Sequence, residues 1–291
     1  MSQPLTWPGG STRLAALLGD PVAHSLSPQL HNTVFRGLGF DVVYVALRVA
    51  PADLASAIAG LGAVGALGAN VTVPHKRAAY GLCAELTAEA RLVGAVNTLS
   101  WRDGALYGTT TDTTGLGRVL GSTVPGIAGS VCVVLGTGGA ARAAVVALGR
   151  AGAAVAVIGR DLDAARLLSA LATTAGAPSS RALDLSASGI TALVRDARVV
   201  LNATTLGMAG ESLPAAFMEL HDGQIAHDLV YGHGVTPFVA AALDRGVEAH
   251  DGTAMLVAQA ADAFEVWTGG VAPVGSYEAA LGGAASVTFT Q

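Results

Sequence analysis

The chain has 291 residues, a formal charge of −5 and 52% hydrophobic residues, yet only 13% of it is charged, about half the usual share for a soluble protein. That length and apolar content exclude a disordered chain or a small disulfide scaffold and predict about two domains. Mild acidity without a basic block leaves no electrostatic footprint for nucleic acid or an anionic membrane surface, so a small-molecule partner is expected.

Of the 16 cationic side chains a single one, Lys76, is lysine and the rest are arginine. Cys83 and Cys132 lie far apart in apolar surroundings without metal-ligand spacing, which predicts reduced core residues and a cytoplasmic chain. The uncharged stretch between Arg118 and Arg142 is broken by Pro125 and several glycines, and Leu54 to His75 is broken by glycines, Asn70 and Pro74; neither reads as a membrane span. Met1 to Gly10 lacks the cationic and apolar regions of a signal peptide.

Short apolar runs alternate with helical patterns, which predicts βαβ units and parallel sheets. In the first half the predicted strands are Leu14 to Leu18, Val42 to Leu47, Ala69 to Val73 and Val96 to Trp101, the last joined through the Arg102-Asp103-Gly104 turn to Ala105 to Tyr107 as a hairpin. Ser27, followed by Pro28, reads as the N-cap of a helix through about Gly37, and Pro51 with Asp53 starts another. The second half repeats the pattern with strands at Val131 to Leu135, Ala153 to Ile158, Val199 to Asn202 and Ile225 to Val230, and helices from Gly139 to about Ala151 and from Thr253 to Trp267. Each strand is a near-continuous apolar run, as a sheet covered on both faces requires.

Gly136-Thr137-Gly138-Gly139-Ala140-Ala141 follows a predicted strand and opens a helix, so Gly136, Gly138 and Ala141 fit the dinucleotide fingerprint. The first glycine permits the turn, the second lets backbone approach a pyrophosphate, and the small third residue lets helix pack on strand. The next strand ends at Gly159-Arg160-Asp161. Arg160 suits the 2′-phosphate of NADP through its planar fork, whereas Asp161 leaves NAD open.

Gly19 to Asn32 places Ser25 and Ser27 at a strand's carboxyl end, where two hydroxyls suit a carboxylate; helix capping explains Ser27 equally well. Gly68-Ala69-Asn70-Val71-Thr72-Val73-Pro74-His75-Lys76 then carries a buried strand to the only lysine. With Gly94-Ala95-Val96-Asn97-Thr98-Leu99, Thr111-Asp112, Asn202-Ala203-Thr204, Tyr231 to Pro237 and Met255 to Ala261, the chain from about Leu14 to Trp267 resembles the shikimate dehydrogenase family.

The resemblance implies reversible NADP-linked reduction of 3-dehydroshikimate to shikimate in aromatic amino-acid biosynthesis. It implies a two-domain α/β architecture: a substrate domain over 1–112 completed by 250–291, a Rossmann-type NADP-binding domain over 113–249, and an active-site cleft between them. Lys76 and Asp112 match the catalytic pair, Ser25 and Ser27 the carboxylate-binding serines, Thr72, Asn97 and Gln259 the hydroxyl-binding groups, and Tyr231 a residue near the carboxylate and nicotinamide. The cofactor-binding set is Gly136, Thr137, Gly138, Gly139, Ala140, Arg160, Asn202, Thr204 and Gly252. The chain departs from the family's pattern at Thr110, where an asparagine is usual, and at Gly159 and Asp161, which stand in place of the outer residues of Asn-Arg-Thr.

Ketone reduction needs a proton donor at the developing alkoxide, which lysine supplies and arginine does not. His24, His31 and His75 read as packing or hydrogen-bonding residues, and no metal is expected. Two alternatives stand beside the main reading: an NAD-preferring quinate/shikimate dehydrogenase, and a non-catalytic NADP-binding regulator. A monomer or homodimer is expected.

Overall fold

The computed structural model describes residues 8–232, 234–282 and 288–289. Residues 1–7 of the Met1 to Gly10 stretch, His233 of the Tyr231 to Pro237 block, and 283–287 and 290–291 of the expected C-terminal completion lie outside the described residues.

In chain order the elements are β1 (Arg13–Gly19), α1 (Ser27–Gly37), β2 (Val42–Arg48), α2 (Leu54–Ala63), β3 (Gly68–Val71), α3 (Lys76–Leu82), β4 (Glu85–Leu86), α4 (Ala88–Val93), β5 (Thr98–Arg102) and β6 (Ala105–Thr109). There follow α5 (Asp112–Thr123), β7 (Val131–Leu135), α6 (Gly139–Arg150), β8 (Ala154–Gly159), α7 (Leu162–Thr174), β9 (Ser180–Asp184), α8 (Ile190–Asp196), β10 (Val199–Asn202), α9 (Ala215–Met218) and β11 (Ile225–Asp228). The last are α10 (Pro237–Leu243), β12 (Glu248–His250), α11 (Thr253–Thr268), α12 (Val274–Ala280) and β13 (Thr288–Phe289).

The described residues within Met1–Thr111 and Ala260–Ala285 form one compact unit, and those within Asp112–Gln259 and Ser286–Gln291 a second. Against the expected boundaries, Asp112, the stretch from 250 to 259 and Thr288–Phe289 fall in the second unit: α5 belongs to it from its first residue, α11 is divided at Ala260, and β13 pairs with β12.

The first unit is built on a six-stranded sheet in the order β2-β1-β3-β5-β6-β4. β1 is parallel to β2 and β3, whereas β5 runs antiparallel to both β3 and β6. Leu18 lies beside Val71, Asn70 beside Thr98, and Thr98 beside Thr109. The segments following β1, β3 and β6, and the one preceding β5, therefore emerge at a single sheet edge. Beneath it lies a core of Leu18, Ile58, Ala69, Val71, Val96 and Leu99.

Among the boundaries that differ from expectation, two shape this edge. β3 ends at Val71 because the following Val73 precedes Pro74, which restricts its backbone and has no N–H for a ladder. β5 begins only at Thr98 because Val96 leaves the sheet, its N–H bonding the carbonyl of Lys76, while the backbone of Asn97 still bonds Val71 and Thr109 on either side.

The second unit holds a seven-stranded sheet in the order β13-β12-β11-β10-β7-β8-β9, parallel from β12 through β9 with β13 antiparallel at its edge. Strand order reverses outward from β7, so ligands are expected beyond the carboxyl ends of β7 and its neighbours. Leu135, Asn202 and Asp228, the last residues of β7, β10 and β11, lie abreast. Their strands are buried on both faces, with Val133, Ala156, Val200, Ala226 and Phe238 in one core.

Candidate active site

In the first unit, Leu26 is the N-cap of α1 and uses no side chain. This corrects the capping reading of Ser27, which lies inside the first turn and is 5% exposed. Ser25 Oγ accepts the N–H of Ser27 at 3.2 Å, so the two serines fold into one turn after β1. Gly19 makes room for the neighbouring segment: a Cβ there would overlap Thr72 Cγ2. The N–H of His75 bonds Thr72 O at 2.8 Å, and its buried ring contacts Val49 O through Nε2 at 2.7 Å. Lys76 thus opens α3 directly after a pinned turn, half-buried, with its carbonyl held by Val96.

Asn97 is buried, and its Oδ1 accepts the Thr111 N–H at 2.8 Å and the Thr98 hydroxyl at 2.9 Å, while its Nδ2 donates to Thr111 Oγ1 at 3.0 Å. Thr98 in turn accepts from Asn70 Nδ2 at 3.1 Å, and Asn70 Oδ1 accepts the Tyr44 hydroxyl at 2.8 Å. This buried chain fixes which face of the Asn97 amide turns each way, since a flip would break two acceptor contacts. Asn70 and Tyr44 are not among the site residues expected from sequence; the available signal is an asparagine inside a fully buried strand.

His31 is fully buried, stacked at 4.5 Å on Tyr44 and ringed by Trp267 and Tyr277, whose hydroxyl lies 3.1 Å from Nδ1. Burial pushes its pKa down to about 3, so it is a neutral packing residue at ordinary pH.

In the second unit, Gly136 has φ of +121°, and a Cβ there would lie 2.9 Å from Ala203 O. Both facts demand glycine. Gly138 is the N-cap of α6 without a side-chain cap, and Ala141 is fully buried, so the first amides of α6 sit beside bare backbone in the manner suited to a pyrophosphate. Thr137 Cγ2 lies 2.6 Å from the place of a Cβ on Gly159. A side chain at the last position of β8, where an acid would bind a ribose 2′-hydroxyl, would therefore have to displace the Thr137 methyl. Arg160 is exposed beside it. Asp161 caps α7, its Oδ1 accepting the N–H groups of Asp163 and Ala164 at 3.0 and 3.1 Å. The fold thus fits a 2′-phosphate better than a free ribose hydroxyl at this end.

Asn202 is fully buried and its side chain is spent within the protein: Oδ1 accepts from the N–H and hydroxyl of Thr204, and Nδ2 donates to Leu206 O and Asp228 Oδ1. Its expected cofactor contact is corrected accordingly, since no donor or acceptor of the amide is left over. Thr204 is half-buried in the turn that Asn202 holds. Asp228 is 1% exposed and accepts from Asn202 at 2.8 Å, Val230 N at 3.0 Å and Thr236 Oγ1 at 2.7 Å. Burial pushes its carboxyl up to about 6, against the pull of those donors. Gly252 is also obligatory, because a Cβ would overlap Leu229 O. Tyr231 follows β11 half-buried, Asp112 opens α5 and is buried, and Gln259 donates to Leu256 O at 2.9 Å.

No helix among the described residues is long and apolar enough to cross a membrane. The family model for the shikimate dehydrogenase substrate binding domain matches residues 17–99. The chain is 42% identical over 278 residues to shikimate dehydrogenase (NADP(+)) of Citrifermentans bemidjiense, covering 94% of this chain and 95% of that one. Shikimate dehydrogenase from Aquifex aeolicus superposes with a TM-score of 0.84 at 30% identity, covering 94% of this chain and 98% of that chain. The Thermus thermophilus enzyme, solved in complex with NADP(H) and shikimate, superposes at 0.80 with 31% identity, covering 94% and 100%. With this likeness running through nearly the whole length, the chain belongs to the shikimate dehydrogenase family.

Proposed function

We propose that the chain is an NADP-dependent shikimate dehydrogenase, reducing 3-dehydroshikimate to shikimate reversibly in aromatic amino-acid biosynthesis. The observation that carries this reading is Lys76: the only amine side chain of the protein stands at the carboxyl edge of β3, in the unit whose buried network orients Asn97. When bound, NADPH supplies the hydride. Lys76 donates the proton to the developing alkoxide and takes it back in oxidation, and its charge lowers the cost of that oxyanion. Asp112 is assigned the carboxylate half of the family's catalytic pair, sharing the proton. Ser25 and Ser27 bind the substrate carboxylate, with Tyr231, while Thr72, Asn97 and Gln259 bind hydroxyls. Gly136, Thr137, Gly138, Gly139 and Ala140 receive the pyrophosphate, Arg160 the 2′-phosphate, and Thr204 and Gly252 line the remainder.

Preference for NADP over NAD is supported by Thr137 closing off Gly159 and by the capping role of Asp161. The protein is assigned to the cytoplasm as a monomer or homodimer, which light scattering on the purified chain distinguishes. Initial rates with shikimate and quinate, each with NADP and NAD, test the whole reading. The highest kcat/KM is expected for shikimate with NADP; quinate with NAD in first place would replace it with the catabolic alternative, and no turnover in any combination would leave a binding protein.

A further inference from the structure

Asp228 stands outside the residues assigned to substrate or cofactor, yet it is a carboxylate buried at the carboxyl edge of the parallel sheet with three neutral donors converging on it. Each donor belongs to a different segment. Asn202 ends β10 and holds the turn through Thr204 to Leu206, Val230 leads into Tyr231, and Thr236 caps α10 by accepting the N–H of Val239. The turn held by Asn202 abuts the glycine loop, for Ala203 N bonds Leu135 O and Ala203 O lies 2.9 Å from the place of a Cβ on Gly136. The segment held through Val230 also receives Gly252, whose N–H bonds Val230 O at 3.0 Å.

A dinucleotide lies across the carboxyl ends of such a sheet, one nucleotide to each side of the glycine loop. Arg160, after β8, marks the side of the 2′-phosphate; β10 and β11 lie on the opposite side of β7. From this arrangement, and resting on the NADP-dependent reading above, we infer that Asp228 is a positioning residue for the nicotinamide half of the cofactor site, setting the 203–206 turn and the Val230–Tyr231 segment in register without touching the ligand.

The experiment measures binding of NADPH and of adenosine 2′,5′-bisphosphate, which lacks the nicotinamide half, to the full chain and to D228N and D228A. D228N keeps an oxygen for Asn202 and Val230 but offers Thr236 a donor where it needs an acceptor. Weakening of NADPH binding by roughly threefold in D228N and roughly tenfold or more in D228A is expected, on the scale of one or two lost hydrogen bonds. Affinity for the bisphosphate should stay within about twofold of wild type, a difference too small to represent one lost hydrogen bond. If D228A does not fold, D228N decides. Equal weakening of both ligands in a folded variant, or unchanged NADPH binding, overturns the positioning role. Failure of the wild-type chain to bind NADPH at all refutes the underlying functional reading instead.

Discussion

The two units prepare their halves of the chemistry by opposite means. The first adds polar atoms to a buried sheet edge: Asn70, Asn97, Thr98 and Thr111 are all buried and satisfy one another in a chain that reaches Tyr44. The second removes side chains. Gly136, Gly159 and Gly252 each stand where a Cβ would run into backbone oxygen or into Thr137. Rigidity at the sheet edge of the first unit comes from hydrogen bonds that a flip would forfeit, and at the glycine positions of the second from backbone packed too closely to move. Substitutions that delete polar atoms should accordingly damage the network of the first, and those that add atoms the glycine positions of the second, whose Asp228 contacts follow the rule of the first unit.

Lys76→Arg offers the largest test. Arginine keeps the charge but does not release a proton near neutral pH, so kcat should fall on the order of 10²-fold or more. Thermal stability and NADPH affinity, which belong to other groups, should hold. Near-normal turnover sinks the catalytic assignment, and a matching loss of NADPH affinity breaks the division of labour between the units. Because the chain has no other lysine, an amine-directed reagent has Lys76 and the N-terminus as its amine targets, and protection by shikimate reports on this site directly.

For the second unit, Gly252→Ala forces a methyl against Leu229 O. Overpacking of this kind costs about 1–3 kcal/mol, read as a lower midpoint in urea unfolding of a chain whose Lys76 is untouched. A variant as stable as wild type would show that the backbone there yields, and the contrast between the units would fail at its strongest point.

Acid tests both units together. His31 in the first and His227 in the second, fully buried and stacked on His250 at 4.7 Å, are each pushed down to about 3 by burial, with the neighbouring His250 adding to the effect on His227. Their unfolded forms titrate near 6.5, so each contributes stability that is complete above that pH and is lost on acidification toward 3. Asp228, pushed up to about 6 from 3.8, works in the other direction: it costs stability as pH rises through that window. Between about pH 4 and 6 the unfolded chain binds two extra protons at the histidines and one fewer at Asp228, so stability should rise by about 1.4 kcal/mol per pH unit. Urea unfolding at pH 5 and pH 6 checks the slope; a flat response would show that only one ring is held neutral, and a fall of about 1.4 kcal/mol per pH unit that neither is.

The unequal legibility of the units follows from the same contrast. Parallel strands flanking a glycine loop announce themselves locally, because continuous apolar runs and Gly136, Gly138 and Ala141 lie within a few residues of one another. Val131–Leu135 and Val199–Asn202 match the strands expected from sequence to the residue. The buried polar contacts are not local: Tyr44 meets Asn70 and Asn202 meets Asp228 across 26 residues in each case. A polar residue inside an apolar run carries no mark of its role until its partner is in place, which is why Asn70 and Asp228 are not legible as site residues. Ser27 misleads for a related reason, since serine before proline reads as a cap and only the backbone assigns that place to Leu26.

The smallest expected effect is the sharpest test of the cofactor end. If Asp161 serves only as the cap of α7, serine should replace it with little loss, because serine and aspartate cap about equally well and differ by a few tenths of a kcal/mol. Alanine, which leaves the Asp163 and Ala164 N–H groups without their acceptor, should cost about 1 kcal/mol. In neither variant should the ratio of kcat/KM for NADP to that for NAD move by more than about twofold, since the proposed partner of the 2′-phosphate is Arg160. A tenfold rise in that ratio with Asp161→Ser would mean that the carboxylate reaches the ribose as well as the helix, and that the second unit, too, sets its specificity with an added polar atom.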